Sequence, residues 1–255
     1  MAVVVVPVDP PREGLVLQRL AETSPLSEAE AAELYAALVR DVAVAAELSG
    51  GDLLVNYRPD ESLPEDHRTD EPAEAAVRAT VAPALEWLDE ARFERQVGST
   101  RSARVGNTVA HLLDEEGASG VLVVEPTAAL VGRTGIDGAT MKLRTDEVVL
   151  GPAPGGRVHL AGFSEPIDFT DAFEAHPLET LTARAGDAGL GVAFGEPSPV
   201  VETEADLVTL TSLVRARADA GRVVPEYALA AIRDLGVTPV DEDGEIRVAR
   251  GTDRS

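Results

Sequence analysis

The chain reads as an α/β protein with a mostly parallel central sheet flanked by helices. Three observations predict this. Short apolar runs alternate with segments of helical periodicity in the order strand, helix, strand, helix, strand, which is the pattern of a parallel sheet with helical crossovers. Two of the runs, Val3–Val8 and Gly120–Val124, are almost wholly apolar, as buried strands are. A hairpin-like insertion, Val148–Phe163, then places two short strands around the Gly/Pro loop Gly151–Gly156.

The elements follow in order. Val3–Val8 is the first strand, and Asp9-Pro10-Pro11-Arg12-Glu13-Gly14 is a loop by composition. Leu15–Glu22 is a short helix. Ser24 or Ser27 caps the next one, Glu28–Leu48, with acids in its first turn and Gly50-Gly51 as its stop. Asp52–Tyr57 is the second strand. Arg58–Pro72, rich in Pro, Asp and Glu, reads as an exposed, mobile loop. Ala73–Leu88 is a helix interrupted near Pro83, and Phe93–Val97 is a short strand. Gly98–Asn107 is polar and basic and reads as a loop before a helix at Thr108–Glu116.

Gly120–Val124 is the third strand and runs directly into Glu125-Pro126-Thr127. Ala128–Leu143 is mostly helical. Glu147–Leu150 and Val158–Gly162 flank the glycine loop, Pro177–Ala188 is a helix, and Gly191–Phe194 is a strand. Val200–Leu207 leads into a helix reaching Ala218, and Pro225–Leu235 is a further helix with Gly236 at its end. Asp241–Ser255 reads as a frayed acidic tail with a short strand at Ile246–Val248. Residues 1–220 are expected to form the main domain, and 221–255 a C-terminal helix and tail.

Composition narrows the function classes. The 255 residues carry a net charge of −23, no cysteine and a single lysine, Lys142. A dense carboxylate surface with arginine as the basic residue resembles proteins of salt-loving archaea. In molar salt the Debye length is about 3 Å, and self-repulsion is screened. No Lys/Arg cluster supplies the basic face that nucleic-acid binding needs. Disulfides and thiolate metal sites are excluded. The apolar Met1–Val6 run lacks a basic flank, meets Pro7 and is too short to span a bilayer, so a cytoplasmic protein is expected.

Ligands of open α/β sheets bind at the carboxyl ends of the strands. Four segments fall there: Pro7–Arg19, Glu125-Pro126-Thr127, Gly151–Arg157 and Glu202–Asp206. Gly155-Gly156 can take positive φ and let a ligand lie against backbone; a plain hairpin turn explains them as well. Glu125 suits a cation ligand or a helix cap with Thr127. Glu202 suits a cation ligand or an acidic helix start. Arg19 suits a phosphate or a surface ion pair. Arg101 and Arg104 form a second possible anion-binding stretch ahead of a helix. His111 and His159 have no metal-ligand spacing, and no Walker-type lysine loop is present.

Taken together, these segments resemble the nucleotide-diphospho-sugar transferases of the GT-A, Rossmann-like fold. The nearest likeness is to a glycosyltransferase-like family of unknown substrate, related to phospholactate and molybdenum-cofactor guanylyltransferases. The family's Gly-x-Val-Lys-Thr-Arg-Leu loop corresponds to Gly14–Leu20, with Leu17 in the lysine position and Arg19 retained. Its Ala-x-x-Leu-Tyr helix corresponds to Ala31–Asp41. Its Gly-x-Asp-x-Pro motif corresponds to the Glu125-Pro126-Thr127 region. Its glycine loop corresponds to Gly151–Gly162 without the aspartate, and its closing Asp-x-Asp-Thr-x-x-Asp-Leu to Val200–Leu207.

The resemblance implies a nucleotide or nucleotide-sugar ligand. It places phosphate at Gly14, Arg19, Gly155 and Gly156. It also implies Mg²⁺ or Mn²⁺ held by Glu125 and Glu202. The implied activity is glycosyl or nucleotidyl transfer. The missing lysine and aspartates leave room for a catalytically degenerate binding or scaffold protein, or for a nucleotide sensor that needs no metal.

Overall fold

The computed structural model describes residues 1–251. Seven strands form one sheet: β1 (Ala2–Val8), β2 (Asp52–Tyr57), β3 (Arg92–Arg95), β4 (Gly120–Val124), β5 (Val148–Ala153), β6 (Arg157–Phe163) and β7 (Val192–Phe194), in the spatial order β3-β2-β1-β4-β6-β5-β7. β1 pairs in parallel with β2 and β4, and β2 with β3. β6 runs antiparallel to both neighbours, β4 and β5, and β7 is parallel to β5. The fold is therefore mixed α/β with a mostly parallel sheet, as the sequence predicts.

Side-chain alternation in β1 builds both faces of the sheet. Val4, Val6 and Val8 pack into one apolar cluster, and Val3 and Val5 into another. The first cluster is covered by α2 (Glu28–Glu47), α3 (Ala73–Val81) and α5 (Arg133–Lys142), through residues such as Val39, Val77 and Ile136. The second is covered by α4 (Arg101–Ala110) and α6 (Pro177–Asp187), through Val105, Val109 and Leu181.

A third cluster lies on the outer side of α2, where Leu34 and Leu38 meet α1 (Gln18–Thr23), α7 (Glu204–Asp219) and α8 (Glu226–Asp234). α2 is thus buried on two sides, which explains its run of apolar positions. Its start is a capping box: the Ser27 hydroxyl accepts from the Glu30 amide, and Glu30 accepts from the Ser27 amide.

Three expectations are corrected. The basic stretch 98–107 is not a loop, because α4 begins at Arg101, capped by the Thr100 hydroxyl. Its buried face is Ser102, Val105, Gly106 and Val109, too few large apolar residues to stand out in a polar run. A π-helical turn, His111–Glu115, extends it.

The 58–72 segment is not an open loop. It makes two single 3₁₀ turns, buries Leu63 and is tied down by arginines. The Arg58 guanidinium donates to the Ser62 carbonyl, Arg68 to Leu63, and Arg12 to His67 and Glu71. Composition signals exposure but not these side-chain-to-backbone bonds.

The acidic tail is, up to Arg250, a hairpin of β8 (Val237–Glu242) and β9 (Glu245–Arg250). Asp243 and Gly244 both take positive φ, the two-residue Asp-Gly turn that suits strand twist. Val237 and Val248 join the third cluster, and Arg250 pairs with Glu30. The last residues of the expected tail, 252–255, lie outside the described residues.

Candidate functional site

The chain lays β2 and β3 to one side of β1, then returns to place β4 on the other. That reversal opens a crevice beyond the carboxyl ends of β1 and β4. Asp9 follows β1 and Glu125 follows β4. β6 is antiparallel, so its first residue, Arg157, lies at the same edge.

The crevice has two lobes that share Arg19, Arg101, Glu125 and Glu202. The inner lobe is a cavity of about 300 Å³ floored by Tyr35, Asn56 and Gln96. The outer lobe, about 380 Å³, is walled by Gly155, Arg157, Glu174 and Asp206. Each is at the lower end of the range for small-molecule sites.

The inner floor is a built polar surface. Tyr35 is buried, and its hydroxyl accepts from the Asp9 amide. Burial, reinforced by the Asp9 carboxylate, pushes the phenol pKa upward, so the ring stays neutral. The Gln96 amide donates to the Asn56 carbonyl at 2.7 Å. The Asn56 side chain donates to Glu94 and accepts from Thr108.

The charged walls are a set of arginine–carboxylate pairs. Arg101, the first residue of α4, pairs with Glu125. Attraction to Glu125 holds the guanidinium pKa above its usual value. Asp9 pairs with Arg58 at 3.6 Å. Arg157 meets Asp206 with two parallel bonds of 2.6 and 2.9 Å, and Glu202 at 3.3 Å. The Asp206 carboxyl is opposed by burial. The Arg157 guanidinium, the Thr203 hydroxyl and the Glu202 amide together still hold its pKa below the ordinary range.

Asp206 also closes a capping box with Thr203 at the start of α7. The Thr-x-x-Asp of the closing motif thus begins a helix and holds an arginine in place.

Two guanidinia stand apart. Arg104, one turn after Arg101 on α4, is half-buried in the inner lobe. It has no carboxylate partner among the described residues, and its Nε finds no hydrogen-bond partner. Burial and the neighbouring Arg58 lower its pKa. Arg19 is exposed, borders both lobes and likewise pairs with no carboxylate among the described residues.

Most of the residues expected from sequence therefore meet in one place: Arg19, Glu125, Glu202 and Gly155 all line the crevice. Gly14 and Gly156 lie outside its lining. Both take positive φ, as does Gly155, so these glycines shape turns. Glu125 does not cap a helix: the next one, α5, begins only at Arg133 after Gly132, and the Glu125 side chain pairs with Arg101. Sequence reasoning did not single out Asp9, Asn56, Gln96, Arg157 or Asp206. The strand-end segments contain Asp9, Arg157 and Asp206, and the closing motif also covers Asp206, but nothing in the sequence marks Asn56 or Gln96.

Leu17, in the position of the family's lysine, takes a left-handed conformation (φ 50°) in the inner wall. That is an uncommon, strained geometry for a branched side chain.

Among the described residues, no helix is long and apolar enough to cross a membrane. No protein-family profile matches the chain, and no curated protein matches it in sequence. Solved structures do. A candidate nucleotide-diphospho-sugar transferase from Desulfovibrio desulfuricans G20 superposes with a TM-score of 0.69 at 23% identity, over 91% of this chain and 97% of that one. A 4-diphosphocytidyl-2C-methyl-D-erythritol synthase superposes at 0.50 and 13% identity, over 86% and 98%. At such identities the likeness is one of fold, and this chain shares the Rossmann-type, mixed α/β fold of those proteins.

Proposed function

We propose that this protein binds a nucleotide-activated donor, a nucleotide or nucleotide-sugar, in the two-lobed crevice and transfers a group from it to an acceptor in the outer lobe. One observation carries the reading. In a chain with a net charge of −23, four arginines (Arg19, Arg101, Arg104 and Arg157) border one crevice at the switch point of the sheet. Fixed guanidinia suit phosphate oxygens. They also stabilise the charge that builds on a departing phosphate group, without reorganising as it forms. The amide-lined floor beside them suits the polar edge of a base or sugar.

Calorimetric titration with a panel of nucleotide-sugars and nucleoside triphosphates, in molar KCl, tests this. Saturable binding of at least one, weakened in Arg19→Gln, is expected. Product analysis with that ligand then identifies the group transferred. A second reading, a catalytically degenerate binding protein, is favoured by Leu17 in place of lysine and by the pairing of Glu125 and Glu202 with arginines. It predicts binding without turnover.

A further inference from the structure

The family resemblance implies a divalent cation between Glu125 and Glu202. Both carboxylates reach the crevice, but the donor set does not fit a cation cage. Glu125 is committed to Arg101, and Glu202 to Arg157. Asp9, the remaining carboxylate of the inner lobe, is committed to Arg58. Among the described residues, no group of three or more His, Cys, Asp and Glu side chains is assembled for a metal. Magnesium at phosphate sites binds through one or two carboxylates, with water and substrate phosphates completing its shell, and here guanidinia hold all three carboxylates of the inner lobe.

The charge count of the inner lobe is informative. Its charged residues are Asp9, Glu125, Glu202, Arg19, Arg101 and Arg104. Arg58 reaches in from outside it and neutralises Asp9, Arg101 neutralises Glu125, and Glu202 shares Arg157 with Asp206, which holds that guanidinium by two bonds. Arg19 and Arg104 remain, and Arg104 has an orphaned Nε. The outer lobe adds Glu174, whose contact is the Ser102 hydroxyl at 3.3 Å.

We infer that this crevice takes a nucleoside-diphosphate-linked donor without a divalent cation, its diphosphate seated on Arg19 and Arg104 and flanked by the carboxylate-oriented Arg101. This rests on the nucleotide-donor reading above. A diphosphate esterified at both ends carries roughly one negative charge per phosphate, and the two guanidinia without carboxylate partners offer each phosphate one cationic contact. A nucleoside triphosphate adds a terminal phosphate of nearly two further charges. Those would face Glu125 and Glu202 with no cation left to balance them. The lack of a spare cation for a terminal phosphate favours a sugar nucleotide over a triphosphate as donor, and so transfer of a sugar-like group over transfer of a nucleotidyl group.

The experiment is calorimetry of the full chain in molar KCl. Nucleoside-diphosphate sugars and the corresponding triphosphates are each titrated in EDTA, in Mg²⁺ and in Mn²⁺. The inference expects one nucleoside-diphosphate sugar to bind with the same Kd, within about twofold, in all three conditions. In EDTA its triphosphate should bind at least about tenfold more weakly. Arg104→Gln and Arg19→Gln should each weaken the sugar nucleotide by about tenfold or more; Arg19 is exposed, so its variant folds in any case. Binding of a nucleotide-sugar only with Mg²⁺ or Mn²⁺ overturns the inference and leaves the nucleotide reading standing. Equal binding of the triphosphate in EDTA overturns the charge count. No binding of any nucleotide in any condition overturns the nucleotide reading itself.

Discussion

The two sides of the crevice treat arginine in opposite ways. On the β6–α7 side, Arg157 is held by Asp206 in a two-bond pair, with Glu202 adjacent and the whole group anchored to the cap of a helix. On the β1–α4 side, Arg104 is half-buried and, among the described residues, has no carboxylate partner and an unpartnered Nε. The contrast separates two uses of one side chain. A guanidinium with its own carboxylate contributes to the fold and has a fixed orientation. A guanidinium desolvated without one costs stability and keeps its donors for something that arrives later.

The largest expected effect is on stability. Arg157→Ala leaves Asp206 largely buried and unpaired, at a cost of up to about 3 kcal/mol in urea unfolding. Arg104→Gln removes an uncompensated cation and is expected to leave stability unchanged or raised by about 1 kcal/mol. If both variants lose stability equally, the contrast fails.

Ligand affinity should show the reverse order for Arg104: a loss of about tenfold to a hundredfold, with the fold intact.

A third test uses pH and a second pair of carboxylates. Asp206 is buried beside a guanidinium, and its pKa lies below the ordinary range. Its contribution is therefore present above the unfolded carboxylate pKa and is lost as pH falls toward the native value. Asp41, on α2, is partly buried against the start of α8, where it accepts from the amides of Tyr227 and Ala228; among the described residues it has no arginine partner. Burial pushes its pKa up to about 6 despite those bonds. It binds its proton more tightly when folded, so its ionisation withdraws stability as pH rises from about 4 to 6. Asp41→Asn should flatten that interval, and Asp206→Asn should flatten the acid limb. Urea unfolding from pH 3 to 7 reads both.

The smallest effect belongs to an ordinary surface pair. Arg250 reaches Glu30 from the C-terminal hairpin, and its side chain is 47% exposed. Arg250→Ala should cost less than about 1 kcal/mol, and less still in molar KCl.

The sequence by itself determined the α/β class and most of the sheet, because apolar runs such as Val3–Val8 and Gly120–Val124 can only be buried strands, and their β-branched content suits no other element. The four segments it marked at strand ends do meet at one sheet edge. What it misread were places where the signal is not apolar. These were α4, whose face is built from Ser102, Val105, Gly106 and Val109; the 58–72 segment, held by guanidinium-to-carbonyl bonds; and the hairpin after Gly236, whose Asp243-Gly244 turn sits among exposed acids.

The partners of the arginines were decided only by tertiary structure. Glu125 and Arg101 lie 24 positions apart, and Arg157 and Asp206 lie 49 apart. Which carboxylate neutralises which guanidinium depends on how β4, β6, α4 and α7 converge. Charge pairing acts through space over a few ångströms, and spacing along the chain carries almost no information about it.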